Sequence, residues 1–90
     1  MNQTFYKEQH DIVEELIDIK TLVVHNDDVN TFDWVIETLV EVCRHTLVQA
    51  EQCTILIHFK GKASVKNGTF EELEPLKDAI LDRGINATIE

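Results

Sequence analysis

The spacing of apolar residues changes four times along this chain, and each change predicts a different element. The first group, Leu22-Val23-Val24, is a short β-branched run that predicts a strand over 20–25. It stops at His25 and at Asn26-Asp27-Asp28, whose side chains readily bond nearby amides and close a strand with a turn. From Phe32 the period lengthens. Phe32, Val35, Ile36, Leu39, Val42 and Cys43 then lie on one helical stripe, with Trp34 off it. That helix ends near His45, because Thr46-Leu47-Val48-Gln49 has the spacing of a capping box that opens another. Two helices joined so tightly form a hairpin or a corner.

The run LVQAEQCTILIHFK, residues 47–60, alternates locally as a strand would, yet Leu47, Ala50, Thr54, Ile57 and His58 follow helical spacing. Its start at Thr46 and its stop at Gly61, a residue suited to a left-handed cap, favour the helix. Residues 62–66 then predict a short strand closed by an Asn67-Gly68 turn. Thr69-Phe70-Glu71-Glu72 is a second capping box, but Pro75 would interrupt a helix begun there, which places its regular part from about Pro75 to Gly84. Residues 85–89 alternate as a last strand. Ahead of all this, residues 1–19 form an acidic lead-in, flexible or partly helical, with Val13, Leu16 and Ile17 at amphipathic spacing. The expected order is βααβαβ, an α+β fold over 20–90.

Composition narrows what such a domain can do. Ninety residues with 43% hydrophobic and 28% charged positions describe a single small globular domain with little room for an elaborate active site. No apolar run approaches the roughly 20 residues that cross a bilayer, and the first residues lack the pattern of an export signal, so the expectation is a cytoplasmic protein with no membrane partner. A net charge of −9 argues against nucleic acid and toward proteins, peptides or cationic groups. Cys43 and Cys53 are too few for a disulfide framework and are expected to be thiols.

Candidate chemistry is sparse. His25, Asp27, Asp28 and His58 could supply acid/base or metal chemistry, but adjacent carboxylates in a turn more often serve the backbone. The spacings of Cys43, His45, Cys53 and His58 lack the short paired knuckles of a zinc site. There is no Gly-rich phosphate loop, nucleophile elbow or Ser/His/Asp framework. No enzyme, cofactor or metal is expected.

Two blocks carry a resemblance. LVVHNDDVNTFDWVIETL and QAEQCTILIHFKGKA, at compatible spacing, resemble the ClpS family of adaptor proteins, in which an apolar strand ends in N-D-D and a later helix carries A-x7-H-x2-G-K-A, here Ala50 to Ala63. The resemblance spans about 21–90. It implies a three-stranded antiparallel sheet packed against three helices, like the ribosomal stalk protein's C-terminal domain. It also implies a monomer that binds proteins with bulky hydrophobic or aromatic N-terminal residues and delivers them to a ClpA- or ClpC-type AAA+ ATPase working with ClpP. Under this resemblance Asn26, Asp27 and His58 receive the substrate's α-ammonium and first peptide groups, and Asp28 orients the turn behind them or bridges through water. Asn30, Phe32, Val35, Thr54, Ile57 and Ile85 enclose the first side chain, while Glu71 and Lys77 contribute to ATPase docking. Phe32 and Thr54 stand where the family commonly has Met. The alternative is a module that docks a Clp ATPase without reading N-termini.

Overall fold

The structure is a computed structural model that describes residues 18–90, so the expected helix around Val13, Leu16 and Ile17 lies outside the described residues. The elements are β1 (Ile19–His25), α1 (Phe32–Cys43), α2 (Leu47–Lys60), β2 (Lys62–Thr69), α3 (Phe70–Asp82) and β3 (Ala87–Ile89). The three strands form one antiparallel sheet in the order β2-β1-β3. This is the α+β, βααβαβ architecture that the periodicity predicts.

β1 is the central strand because it is the most apolar one and can be buried on both sides. Leu22 and Val24 lie on the helix-covered face and join Val35, Leu39, Ala50, Ile57, Leu73 and Ile80 in one core. All three helices contact one another or the sheet through that core, with α1 against both α2 and α3. Leu22, Leu39, Leu73 and Ile80 are fully buried, each contributing on the order of 2 kcal/mol.

The helix ends are specified locally. Thr31 and Thr46 cap α1 and α2 by accepting the amide hydrogens of Trp34 and Gln49. Gly61 ends α2 at φ 90°, where a side chain would be strained, and its N–H bonds the carbonyl of Ile57. Arg44 takes the same left-handed turn at the end of α1, the one non-glycine residue with positive φ among the described residues. That turn makes the corner between α1 and α2.

Three expectations are corrected. α3 begins at Phe70, not near Pro75, because Thr69 and Glu72 form a complete capping box and Leu73 is fully buried one residue later. Pro75 sits in the helix with its ring exposed, and the missing hydrogen bond is tolerated. Asn67-Gly68 is not a turn. β2 runs through it, with Thr21 opposite Asn67 and Lys20 opposite Gly68, and the chain turns only where α3 starts. The last strand is only Ala87–Ile89, since Ile85 and Asn86 follow Gly84 as a connection in which Ile85 is buried.

β2 also carries a bulge. Leu22 pairs with Lys66 and Val23 with Ser64, which leaves Val65 as the extra residue. Its carbonyl lies 2.7 Å from Nε2 of His45, so the irregularity in the sheet is tied to the helical corner.

The extended backbone at Gly68 has a direct consequence. A Cβ there would meet Glu72 and Leu73 at 3.5 Å, ordinary contact. Gly68→Ala is therefore expected to change unfolding free energy in urea by less than about 0.5 kcal/mol, whereas a turn glycine at positive φ would lose about 1 kcal/mol or more.

Candidate functional site

β1 and α2 end at the same place. Asn26 donates its backbone N–H to the Gly61 carbonyl at 2.8 Å, and Gly61 caps α2 three residues beyond His58. On the other side, His25 donates its N–H to the carbonyl of Asn86 at 3.0 Å. The Asn-Asp-Asp segment is thus delivered from the central strand to the C-terminal end of α2 and the start of α1.

The turn itself is made by Asp27. Its Oδ1 accepts the backbone N–H groups of Val29 at 2.8 Å and Asn30 at 2.7 Å, and its Oδ2 accepts the side-chain amide of Asn30 at 2.7 Å. The Asn30 amide also donates to the Gly84 carbonyl at 2.9 Å, which ties the turn to the end of α3. Trp34, off the α1 stripe, has the same job: its indole N–H donates to the Arg83 carbonyl at 3.0 Å, and the Arg83 guanidinium lies 5.4 Å from its ring centroid. The expected division of labour between the two aspartates is corrected here. Asp27, not Asp28, orients the turn, because a carboxylate two and three residues ahead of free amides closes the tight ring. Asp28 is exposed and makes no side-chain hydrogen bond among the described residues.

These bonds act on the charge. The Asn30 backbone N–H, then its side-chain amide and the Val29 N–H, hold the Asp27 carboxyl below the usual carboxylate range against a small cost of desolvation. A carboxylate has about four acceptor positions, and the turn occupies three of them. One position on Oδ2 is left for an outside donor.

An open cavity of about 320 Å3 lies beside this turn. Asn26, Asp27, Asp28 and His58 line it together with Asn30, Phe32, Val35, Thr54 and Ile57, so the structure gathers residues that are up to 32 positions apart in the sequence. Thr31 lines it as well, a residue that sequence reasoning missed and that only its capping role could have flagged. Ile85 does not. It is buried in the core at 2% exposure, because the short connection from Gly84 draws it beneath the sheet rather than to the cavity wall.

The cavity is two-sided in character. Thr54, at 2% exposure, turns its hydroxyl back to donate to the Ala50 carbonyl at 2.8 Å, so a residue that reads as polar leaves no unmet donor in the wall. Val35 and Ile57 are buried, and the half-exposed Phe32 meets the His58 ring edge-on at 5.1 Å. Phe59 also meets the His58 ring edge-on, at 5.0 Å. The imidazole thus has an edge contact with each of two aromatic rings.

The remaining candidates fall elsewhere. His25 Nε2 lies 2.7 Å from the Thr88 hydroxyl within the sheet. Cys43 and Cys53 are free thiols, and no group of three potential metal ligands comes together among the described residues. Glu71 is exposed in the first turn of α3, while Lys77 is half-buried and 3.6 Å from Asp78. Six residues apart, they sit about 120° from each other around the helix.

Comparison with known proteins places this geometry in context. The family model of the ATP-dependent Clp protease adaptor protein ClpS matches residues 20–88. The chain is 32% identical over 68 residues to the ATP-dependent Clp protease adapter protein ClpS of Streptomyces avermitilis, covering 76% of this chain and 65% of that one. It is 38% identical over 66 residues to the E3 ubiquitin-protein ligase UBR1 of Drosophila melanogaster, covering 73% of this chain and 4% of the ligase. Among solved structures, that of Agrobacterium tumefaciens ClpS2 bound to L-phenylalaninamide superimposes with a TM-score of 0.77 at 20% identity, covering 80% of this chain and 94% of that one. That likeness is one of fold.

The lowered Asp27 pKa predicts a pH dependence of stability. Its contribution is complete above the ordinary value of 3.8 and is lost as pH falls through the lower folded value. The stability advantage of the wild type over Asp27→Ala, measured by urea denaturation, is expected to be full at about pH 6 and to shrink toward about pH 2. Asn30→Ala removes both amide bonds of the turn and is expected to cost about 1–2 kcal/mol at neutral pH.

Proposed function

The chain belongs to the ClpS family of Clp protease adaptor proteins, and from that premise we propose that it captures proteins through a free N-terminal residue with a bulky apolar or aromatic side chain. The observation that carries this reading is the joining of Asn26, Asp27 and His58 to an apolar wall of Phe32, Val35, Thr54 and Ile57 in one open cavity. An α-amino group is mostly cationic at neutral pH and must leave water to enter such a site. The remaining Oδ2 position of Asp27 supplies a charge-assisted acceptor, while Asn26 and a neutral His58 supply further acceptors.

The ligand of the structural neighbour supports the same chemistry. L-phenylalaninamide combines a free amine, a benzyl side chain and an amide in place of the carboxylate, as does the first residue of a Phe-initiated chain. Burying a Phe or Leu side chain contributes on the order of 1.5–3 kcal/mol, and with a few polar contacts, less the ordering cost, this gives roughly micromolar binding. Such affinity suits a protein that must release what it delivers. In this reading the chain hands its cargo to a ClpA- or ClpC-type AAA+ ATPase that feeds ClpP, performs no chemistry itself, and acts as a cytoplasmic monomer. Glu71 and Lys77 contribute to docking from different faces of α3.

The deciding experiment is fluorescence anisotropy with Phe- and Leu-initiated peptides and their N-acetylated forms, which keep the side chain but lack the cation. Acetylation is expected to abolish binding; equal affinity for both forms would refute the proposal. Asp27→Ala should weaken the free-amine peptides by about 1.5–3 kcal/mol, combining the lost ion pair with a loosened turn. Thr54→Met should fill the wall, reducing affinity for Trp-initiated peptides more than for Leu-initiated ones. If the peptides fail to bind while the protein still competes with other substrates for the ATPase, the docking alternative replaces this reading.

A further inference from the structure

The cavity described above uses only the C-terminal half of α2. At the other end of the helix is a second cavity, of about 440 Å3, lined by Arg44, His45, Gln49, Ser64, Lys66 and Asn67 among others and sharing no residue with the first. Gln49 and His58 are nine positions apart, so roughly 13 Å of helix separates the two sites.

Its charge runs against that of the protein. The chain carries 17 acidic and 8 basic residues, yet no Asp or Glu lines this cavity and two cations do. Neither Arg44 nor Lys66 forms an ion pair within 4 Å among the described residues; the Lys66 ammonium donates to the Cys43 carbonyl at 3.5 Å and its charge helps, as a minor cause, to hold the Glu72 carboxyl down. The first turn of α2 has no carboxylate either, so the partial positive charge at that helix end is not neutralised locally. Arg44 is fixed at the corner by its left-handed backbone and by its N–H bond to Leu39.

His45 provides an independent sign. The side chain is 6% exposed, and its Nε2 lies 2.7 Å from the Val65 carbonyl. A carbonyl only accepts, so Nε2 carries the hydrogen. Nδ1 is then left without a partner, the only buried side-chain nitrogen or oxygen in that state among the described residues. Cys43 beside it cannot serve as a counter-charge, since burial pushes its thiol up to about 11.

We infer that this cavity binds a tetrahedral oxyanion of the phosphate class, free or at the tip of a phosphorylated side chain. Arg44 and Lys66 match its charge of nearly −2, and Ser64, Gln49 and Asn67 supply neutral donors around it. His45 forms the buried floor of the site.

The test is a 1H–15N NMR titration of the whole chain with inorganic phosphate at constant ionic strength, with chloride as the control salt. Saturable shifts are expected at Arg44, His45, Gln49 and Lys66 with phosphate and not with chloride. Arg44→Gln and Lys66→Gln should each weaken binding by about ten-fold or more, roughly the loss of one charged hydrogen bond, while Lys60→Gln, outside the cavity, should not. A phosphoserine peptide that binds more tightly than phosphate identifies a modified side chain as the source, and equal binding identifies the free anion; either supports the site. Shifts that stay linear to about 50 mM phosphate, shifts spread evenly over the surface, or a double variant that titrates like the wild type would overturn it.

Discussion

The hydrogen bond from the Asn26 amide to the Gly61 carbonyl is the joint on which the site depends. It is made between the end of the central strand and the cap of α2, two points 35 residues apart, and it can form only when both elements stop in register. Gly61 stops the helix because its φ of 90° admits no ordinary side chain without strain. Asn26 stops the strand because Asp27, immediately after it, takes the next free amides into a turn. With the joint closed, Asn26 and Asp27 share a cavity with His58; without it they would face different solvent.

The same carboxylate is asked to do two things. Asp27 spends three of its acceptor positions on the turn and, in the proposed function, the last on a ligand's ammonium. This is pre-organisation: the acceptor is ionised and aimed before the ligand arrives, so little is lost in ordering it. It also makes the turn and the recognition inseparable in a deletion of that side chain. Asn30, which lines the cavity and bridges Asp27 to Gly84, ties the turn to the end of α3.

Much of this was legible in the chain. Helical spacing and the Thr46 and Gly61 signals placed His58 on α2, and the polar stop after Val24 placed the turn. The misreadings share a cause: local signals were overridden by packing. Asn67-Gly68 has the strongest hairpin letters in the sequence, yet pairing with Lys20 and Thr21 and the start of α3 keep it extended. Pro75 should break a helix, yet the capping box and fully buried Leu73 hold the first turn ahead of it. Ile85 reads as a wall residue by resemblance, but the length of the connection after Gly84 decides where it goes. The roles of the adjacent aspartates could not be separated by composition at all, because the choice depends on which carboxylate is two residues ahead of a free amide. The bulge at Val65 and the cavity beside His45 left no pattern in the spacing.

In the proposed function, one polar turn and one apolar wall read the first residue of a chain together. A crystal structure of the protein with a Phe-initiated dipeptide tests it most directly. The ammonium is expected within hydrogen-bonding distance of Asp27 Oδ2, with the phenyl ring against Thr54 and Ile57. A dipeptide seated with its amine in solvent or on Asp28 alone, or with its ring outside the cavity, would contradict it.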